Sequence, residues 1–123
     1  MQFDDKVPIY YQIKNYLYHR IVAGTLKPGD KLPAVRQLAV DLTVNVNTVQ
    51  RALSEMITEQ ILESKRGRGN FVTQDQDQIT ALKQRLITDY IREFYTQLHA
   101  LNLSDAEIIA EIERYIQTKG EPA

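Results

Sequence analysis

Asn47, Thr48, Gln50 and Arg51 crowd into one short stretch of the chain. Asn and Gln amides pair bidentately with adenine, and an Arg guanidinium with guanine, along the base edges of a major groove. On an arbitrary helix such side chains are only a solvated face, so the elements around them decide what they mean. Further along, Lys65-Arg66-Gly67-Arg68-Gly69 sets cations around two glycines. The cations can neutralise phosphates, and glycine lets a backbone come close to a groove. Arg36 opens a short helical pattern, where unpaired N–H groups and the positive end of the helix dipole suit a phosphate. All of this is chemistry for holding a polyanion.

Bond-making chemistry finds little to work with. His19 and His99 lie far apart, and there is no Cys, so thiolate metal sites, thiol nucleophiles and disulfides are excluded. Asp75 and Asp77 flank a polar stretch and read as solvated. Gly67-Arg68-Gly69 lacks the strand-loop-helix setting of a nucleotide fingerprint. No catalytic residues, metal or cofactor are expected, and the chain reads as a non-enzyme.

The elements that must position these residues are legible from periodicity. Pro8 is a good first helical residue. Ile9, Ile13, Leu17 and Ile21 then recur every four positions, widened by Tyr10 and Tyr16, which predicts a helix over 8–23 stopped by Gly24. Pro28-Gly29-Asp30 is a turn, and Leu32-Pro33 an extended pair. Val35, Leu38, Ala39 and Leu42 make one face of a two-turn helix. Thr43-Val44-Asn45 breaks it, and Asn45 is a suitable N-cap for the next helix. That helix, about 45–59, buries Val49, Ala52, Leu53, Met56 and Ile57 and turns Asn47, Thr48, Gln50 and Arg51 outward. Short helix, tight turn and second helix have helix-turn-helix spacing. Residues 61–65 and 70–73 read as strands joined by the glycine-bearing turn, a β-hairpin. The order is that of a winged helix.

With 123 residues the chain is one domain or one domain with an appendage. Apolar residues are 43% and charged residues 25%, a globular balance, with a net charge of −1. The mean conceals a split: net +3 over residues 1–73 and net −4 over 74–123. The first part suits a polyanion and the second does not. No apolar run reaches the roughly 20 residues of a membrane span, and the acidic start is no signal peptide, so the expected location is cytoplasmic with no membrane partner.

Residues 74–78 read as a polar connector. Beyond it, Ile79, Leu82, Leu86, Tyr90, Phe94, Leu98 and Leu101 form a ridge, with Ile87, Ile91 and Tyr95 beside it, predicting a helix over about 79–101. Ser104 and Glu107 form a capping box that starts a last helix, about 105–118. Its apolar face holds Ile108, Ile109, Ile112, Tyr115 and Ile116, and residues 119–123 are expected to fray. Such wide stripes exceed what two helices bury on each other. A second copy of the chain is the simplest cover, with Leu82, Leu86, Tyr90, Ile91, Phe94, Leu98, Ile109, Ile112 and Ile116 as the expected interface.

The residues from Pro8-Ile9-Tyr10 through Pro28-Gly29-Asp30-Lys31-Leu32-Pro33, Arg36-Gln37-Leu38-Ala39, Asn45, Asn47-Thr48-Val49 and Ala52-Leu53 to Gly67, Gly69 and Phe71-Val72 match a known pattern. Together they resemble the DNA-binding domain of GntR-family transcriptional regulators, without a gap over about 7–73. The short two-helix tail is similar to that of the YtrA-type subfamily, whose members often regulate neighbouring transporter genes. The resemblance implies a dimeric winged-helix repressor on an inverted-repeat operator. By motif position, Arg36 would contact DNA, Asn45, Asn47, Thr48, Gln50 and Arg51 would lie on the recognition helix, and Lys65, Arg66, Gly67, Arg68 and Gly69 on a wing entering the minor groove.

The chain departs from that pattern in places. Ala34 stands where a capping Ser is common, so a cap hydrogen bond of about 1 kcal/mol is missing. Thr43 stands where Gly is common, and a left-handed Thr is strained, so the turn is expected to relax differently. Val46 replaces a Pro or Arg, which points to an operator unlike that of the larger GntR regulators. Two rival readings stand beside a mainly α winged-helix DNA-binding repressor. One is a winged-helix protein–protein adaptor without DNA binding. The other adds a small-molecule effector, of unstated identity, between the tail helices of a dimer.

Overall fold

In the computed structural model, residues 3–119 are described. The elements run α1 Ile9–Val22, α2 Val35–Leu42, α3 Val46–Thr58, β1 Leu62–Lys65, β2 Gly69–Val72, α4 Gln76–Ala100 and α5 Asp105–Thr118. The architecture is the expected one, mainly α with one antiparallel hairpin. The chain divides into two units between Lys83 and Gln84.

In the first unit α3 is the central helix, packed by α1, α2 and β1. Its apolar side is sealed: Val49, Ala52, Leu53 and Met56 have no exposure. Around them lie Ile13, Leu17 and Ile21 of α1, Leu38, Ala39 and Leu42 of α2, and Leu62 and Val72 of the hairpin, all buried. Truncating a side chain so placed costs about 2–5 kcal/mol, through lost transfer energy and the cavity left behind. The α1 stripe begins one turn later than its period implies, because Ile9 is exposed. Two residues off the stripe, Lys14 and Tyr18, are buried instead. Ile57 is half-buried.

The hairpin pairs Leu62 with Val72, Glu63 with Phe71, Ser64 with Asn70 and Lys65 with Gly69. A third segment supports it. Lys31 bridges Phe71 in antiparallel sense, Leu32 N donates to the Asn70 carbonyl at 2.9 Å, and Val72 N donates to the Asp30 carbonyl at 2.8 Å. The extended Asp30-Lys31-Leu32 stretch therefore covers the outer edge of β2 and ties the wing to the helical body.

The turn between α2 and α3 keeps its left-handed residue. Thr43 has φ 57° and ψ 51°, so it does not relax as the sequence suggests. Its neighbours show why: the N–H groups of Thr43 and Val44 donate to the carbonyls of Val40 and Ala39 at 3.2 and 2.9 Å, closing the end of α2 with bonds that require this backbone. A β-branched residue is strained there. Thr43→Gly is therefore expected to stabilise the fold by about 1 kcal/mol, read as a higher urea midpoint at unchanged slope. An unchanged midpoint would mean the turn carries no strain. The α2 start is uncapped by any side chain at Ala34, as expected.

Helix α4 begins at Gln76, earlier than the apolar ridge implies. Asp75 is the reason. Its Oδ1 accepts the Asp77 N–H at 3.0 Å, its carbonyl accepts from Gln78 and Ile79, and Thr73 Oγ1 accepts the Asp75 N–H at 3.1 Å. An Asp cap thus draws most of the polar connector into the helix. The first turns of α4 belong to the first unit, where Ile79 and Leu82 are buried. Leu82 has 2% exposure within the single chain and so leaves the set of expected interface residues.

In the second unit the rest of α4 and α5 form a helical pair. Ser104 Oγ accepts the Glu107 N–H at 3.2 Å while Glu107 Oε1 accepts the Ser104 N–H at 3.0 Å, the reciprocal capping box read from the sequence. The Ser104 backbone N–H, and after it the Ser104 hydroxyl, hold the Glu107 carboxyl below its ordinary pKa. Tyr95 Oη donates to Asp105 Oδ1 at 2.9 Å and joins the two helices. Ile108 is buried, whereas Tyr90, Ile91, Phe94, Tyr95, Leu101, Ile109, Ile112, Tyr115 and Ile116 are exposed, and Leu86 and Leu98 are half-buried. The expected fraying at 119–123 lies, beyond Lys119, outside the described residues.

Candidate nucleic-acid interface

The start of α3 is set by its cap. Asn45 is extended, and its Oδ1 accepts the Asn47 N–H at 2.7 Å. Its carboxamide oxygen is therefore committed to the helix start, and its Nδ2 remains as a donor. Asn47, Gln50 and Arg51 are exposed and Thr48 is half-buried, as helical spacing opposite the sealed face of α3 requires. Gln50 Nε2 donates to Ser54 Oγ at 3.1 Å, which lays the amide along the helix. Arg36, exposed at the start of α2, lines one shallow cleft with Val40, Thr43, Asn45 and Val46. The fold thus brings the predicted phosphate contact beside the N-terminus of α3.

The wing tip is a turn in which Arg68 N donates to the Lys65 carbonyl at 2.9 Å. Gly67 has φ 72°, the backbone that the third position of a type II turn requires. Gly69, with φ 112°, leaves room for a neighbour: a Cβ there would stand 3.0 Å from Lys31 Cε. The Lys65 ammonium sits over the Phe71 ring, 4.6 Å from its centroid. Arg66 and Arg68 are exposed and enter no ion pair among the described residues. Their charge is available to an outside anion.

Three contributors escape the sequence reading. Lys31 reaches the wing through the bridge to Phe71, and only pairing across the chain reveals it. Tyr10, read as part of the α1 stripe, lies under Arg51, whose guanidinium carbon is 3.7 Å from the ring centroid. Glu55 accepts Arg51 Nε at 3.3 Å on one oxygen and Lys14 Nζ at 3.0 Å on the other. Lys14 also donates to Glu59 at 2.6 Å, and the Tyr18 hydroxyl donates to the same Glu59 carboxylate.

His99 stacks on Tyr95 with centroids 5.6 Å apart. Among the described residues no group of three or more His, Cys, Asp and Glu is placed to hold a metal ion. No described helix is long and apolar enough to cross a membrane.

This arrangement has known counterparts. Residues 9–72 match the family model described as bacterial regulatory proteins, gntR family. The uncharacterized HTH-type transcriptional regulator YhcF of Bacillus subtilis is 37% identical over 116 residues, covering 94% of this chain and 96% of the relative. The HTH-type transcriptional repressor YtrA of the same organism is 36% identical over 93 residues, covering 75% of this chain and 72% of the relative. A GntR family transcriptional regulator from Listeria monocytogenes, of solved structure, superimposes with a TM-score of 0.85 at 38% identity, covering 91% of this chain and 98% of that one. The match extends through the helical tail, and on these grounds the chain belongs to the GntR family of bacterial transcriptional regulators, with relatives of the YtrA type.

Proposed function

We propose that the protein is a dimeric repressor that reads an inverted-repeat operator. The observation that carries this reading is the pairing, within one compact unit, of an outward polar face on α3 with a basic two-glycine wing whose arginines enter no ion pair among the described residues. In this proposal α3 enters a major groove. Asn47, Thr48, Gln50 and Arg51 face base edges. Arg36 and the Asn45 amide take phosphates beside the helix start. Lys65, Arg66 and Arg68, with Lys31 behind them, grip the neighbouring minor groove or its phosphates, while Gly67 and Gly69 allow the close approach.

The DNA-binding part ends with the wing near residue 73, and the tail pairs two chains. Tyr90, Ile91, Phe94, Ile109, Ile112 and Ile116, exposed in the single chain, supply the apolar contact, with Leu86 and Leu98 at its margin. An apolar groove lined by Phe94, Leu98, Leu101, Leu103, Ile112 and Tyr115 adjoins that surface. An apolar effector seated there would bear directly on pairing. Repression follows the relative named as a repressor and the simple logic of an operator occupied by protein.

Titration against the DNA upstream of its own gene, at several salt concentrations, tests the reading. Binding is expected to prefer sequence and to weaken with salt. Arg68→Ala is expected to lower affinity on every sequence and to flatten the log–log salt slope by about one unit, the share of one phosphate contact. A variant with unchanged affinity and slope would remove the wing from the interface. Salt-insensitive behaviour of the whole protein, with a protein partner bound instead, would favour the adaptor.

A further inference from the structure

Arg51 is the one cation on the outward face of α3, and it is held on two sides before any DNA arrives. Its guanidinium carbon lies 3.7 Å from the centroid of the Tyr10 ring, and its Nε donates to Glu55 Oε2 at 3.3 Å. The other Glu55 oxygen accepts Lys14 Nζ at 3.0 Å. From this juxtaposition we infer that Tyr10 and Glu55 are positioning residues that present the terminal amino groups of Arg51 to one base, so that α1 sets base preference without reading DNA itself.

The inference rests on the DNA-reading role proposed for Arg51 and extends it to the residues that aim it. A free Arg side chain spreads over many rotamers, and ordering it on a base costs roughly 2 kcal/mol of its freedom. A ring face beneath the guanidinium plane and a carboxylate on Nε remove much of that freedom in advance. They also choose which edge is offered. With Nε engaged, Nη1 and Nη2 form the outward fork, and a two-pronged donor matches the O6 and N7 acceptors of guanine.

A carboxylate on the reading face would ordinarily repel phosphate. Lys14 answers this from behind the helix: its ammonium is buried and hydrogen-bonded to both Glu55 and Glu59. Glu55 can therefore hold Arg51 without presenting an unbalanced negative charge to the duplex. Tyr10 and Lys14 stand four positions apart on α1, about one helical turn, so a single face of α1 supplies both the ring under Arg51 and the cation behind Glu55.

The test is selection from a randomised duplex, followed by binding titrations of the full chain on matched and mismatched sites. Tyr10→Ala is expected to erode discrimination at one position of each half-site by about two- to fivefold, the share of an exposed cation–π contact, with the salt slope unchanged. Tyr10→Phe, which keeps the ring face, is expected to retain wild-type discrimination. Tyr10→Leu, which fills the space without a ring face, is expected to lose it as Tyr10→Ala does. That variant separates aiming from packing should Tyr10→Ala fold poorly. Arg51→Ala is expected to abolish preference at the same position. If Arg51→Ala abolishes it while Tyr10→Ala and Tyr10→Leu leave it intact, the inference is overturned and the DNA-reading role survives. If Arg51→Ala changes no position, both the aiming role and the reading role of Arg51 fall. A wild-type chain that selects no sequence at all would overturn the proposed function itself.

Discussion

Phe94→Glu combined with Ile112→Glu is expected to yield a folded monomer that binds its operator about a hundredfold more weakly than the parent chain, the lower end of the avidity given by linking two modules. Both residues are well exposed in the single chain, at 41% and 38%, so neither replacement empties a core. Both lie on the α4–α5 pair of the second unit, and the sealed stripe of α3 belongs to the first. Pairing would bring four new carboxylates into an apolar contact, where unpaired charge is costly. A monomer must then hold each half-site alone and loses the high local concentration of the second reading head. Sedimentation equilibrium gives the oligomeric state, circular dichroism the fold, and titration on the full and half operators the affinity. A variant that stays dimeric, or a monomer that binds the full operator as tightly as the parent, would remove the tail from the pairing role.

The elements that are legible in the sequence are those whose signals are local. A stripe at 3.6-residue spacing needs only its own helix to be recognised, and Val49, Ala52, Leu53 and Met56 are sealed as that stripe implies. The cap at Asn45 and the capping box at Ser104 and Glu107 depend on residues two or three apart, and both are formed. The glycine-rich turn between two short apolar runs likewise announced the hairpin.

What stayed hidden depends on meetings across the chain. Tyr10 and Arg51 are 41 positions apart, as are Lys14 and Glu55, and nothing in the periodicity of either helix says which exposed residue of one will reach the other. Lys31 reached the wing by the same route, through an extended segment that reads as a loop until β2 lies beside it. The start of α4 was missed for a different reason. The ridge of apolar residues begins at Ile79, but helices start where their N–H groups find acceptors, and Asp75 supplies them one turn earlier. Thr43 was legible as a strained position. The backbone does not give way there, because the carbonyls of Ala39 and Val40 take their hydrogen bonds only from a left-handed Thr43.

The buried ammonium of Lys14 leads to the remaining large effect. Replacing it by Met of similar volume is expected to destabilise the fold by about 1–3 kcal/mol, less than the full cost of breaking a sealed ion pair because water reaches its partners. The Glu55 and Glu59 side chains are 38% and 28% exposed, against 8% for Lys14. The pH dependence tells the ion pair from simple packing. Burial opposes the charge on Lys14, but the hydrogen bonds to Glu59 and Glu55 outweigh it and raise its pKa above the ordinary 10.5. Its contribution is therefore complete below pH 10.5 and fades only as alkali rises through the raised value. Glu55 is shifted the other way. The Lys14 hydrogen bond, against a smaller opposing effect of burial, holds its carboxyl below the ordinary 4.5, so its contribution is complete above that value and fades as the pH falls through the lowered one. The stability gap between parent and Lys14→Met should accordingly be flat from about pH 5 to pH 10 and narrow as the pH falls below the ordinary Glu55 value, where that carboxylate takes up its proton. Thermal unfolding across that range measures it. A gap that persists undiminished into acid would show that Lys14 stabilises the α1–α3 contact by its methylene stem, and that Glu55 holds Arg51 without help from behind.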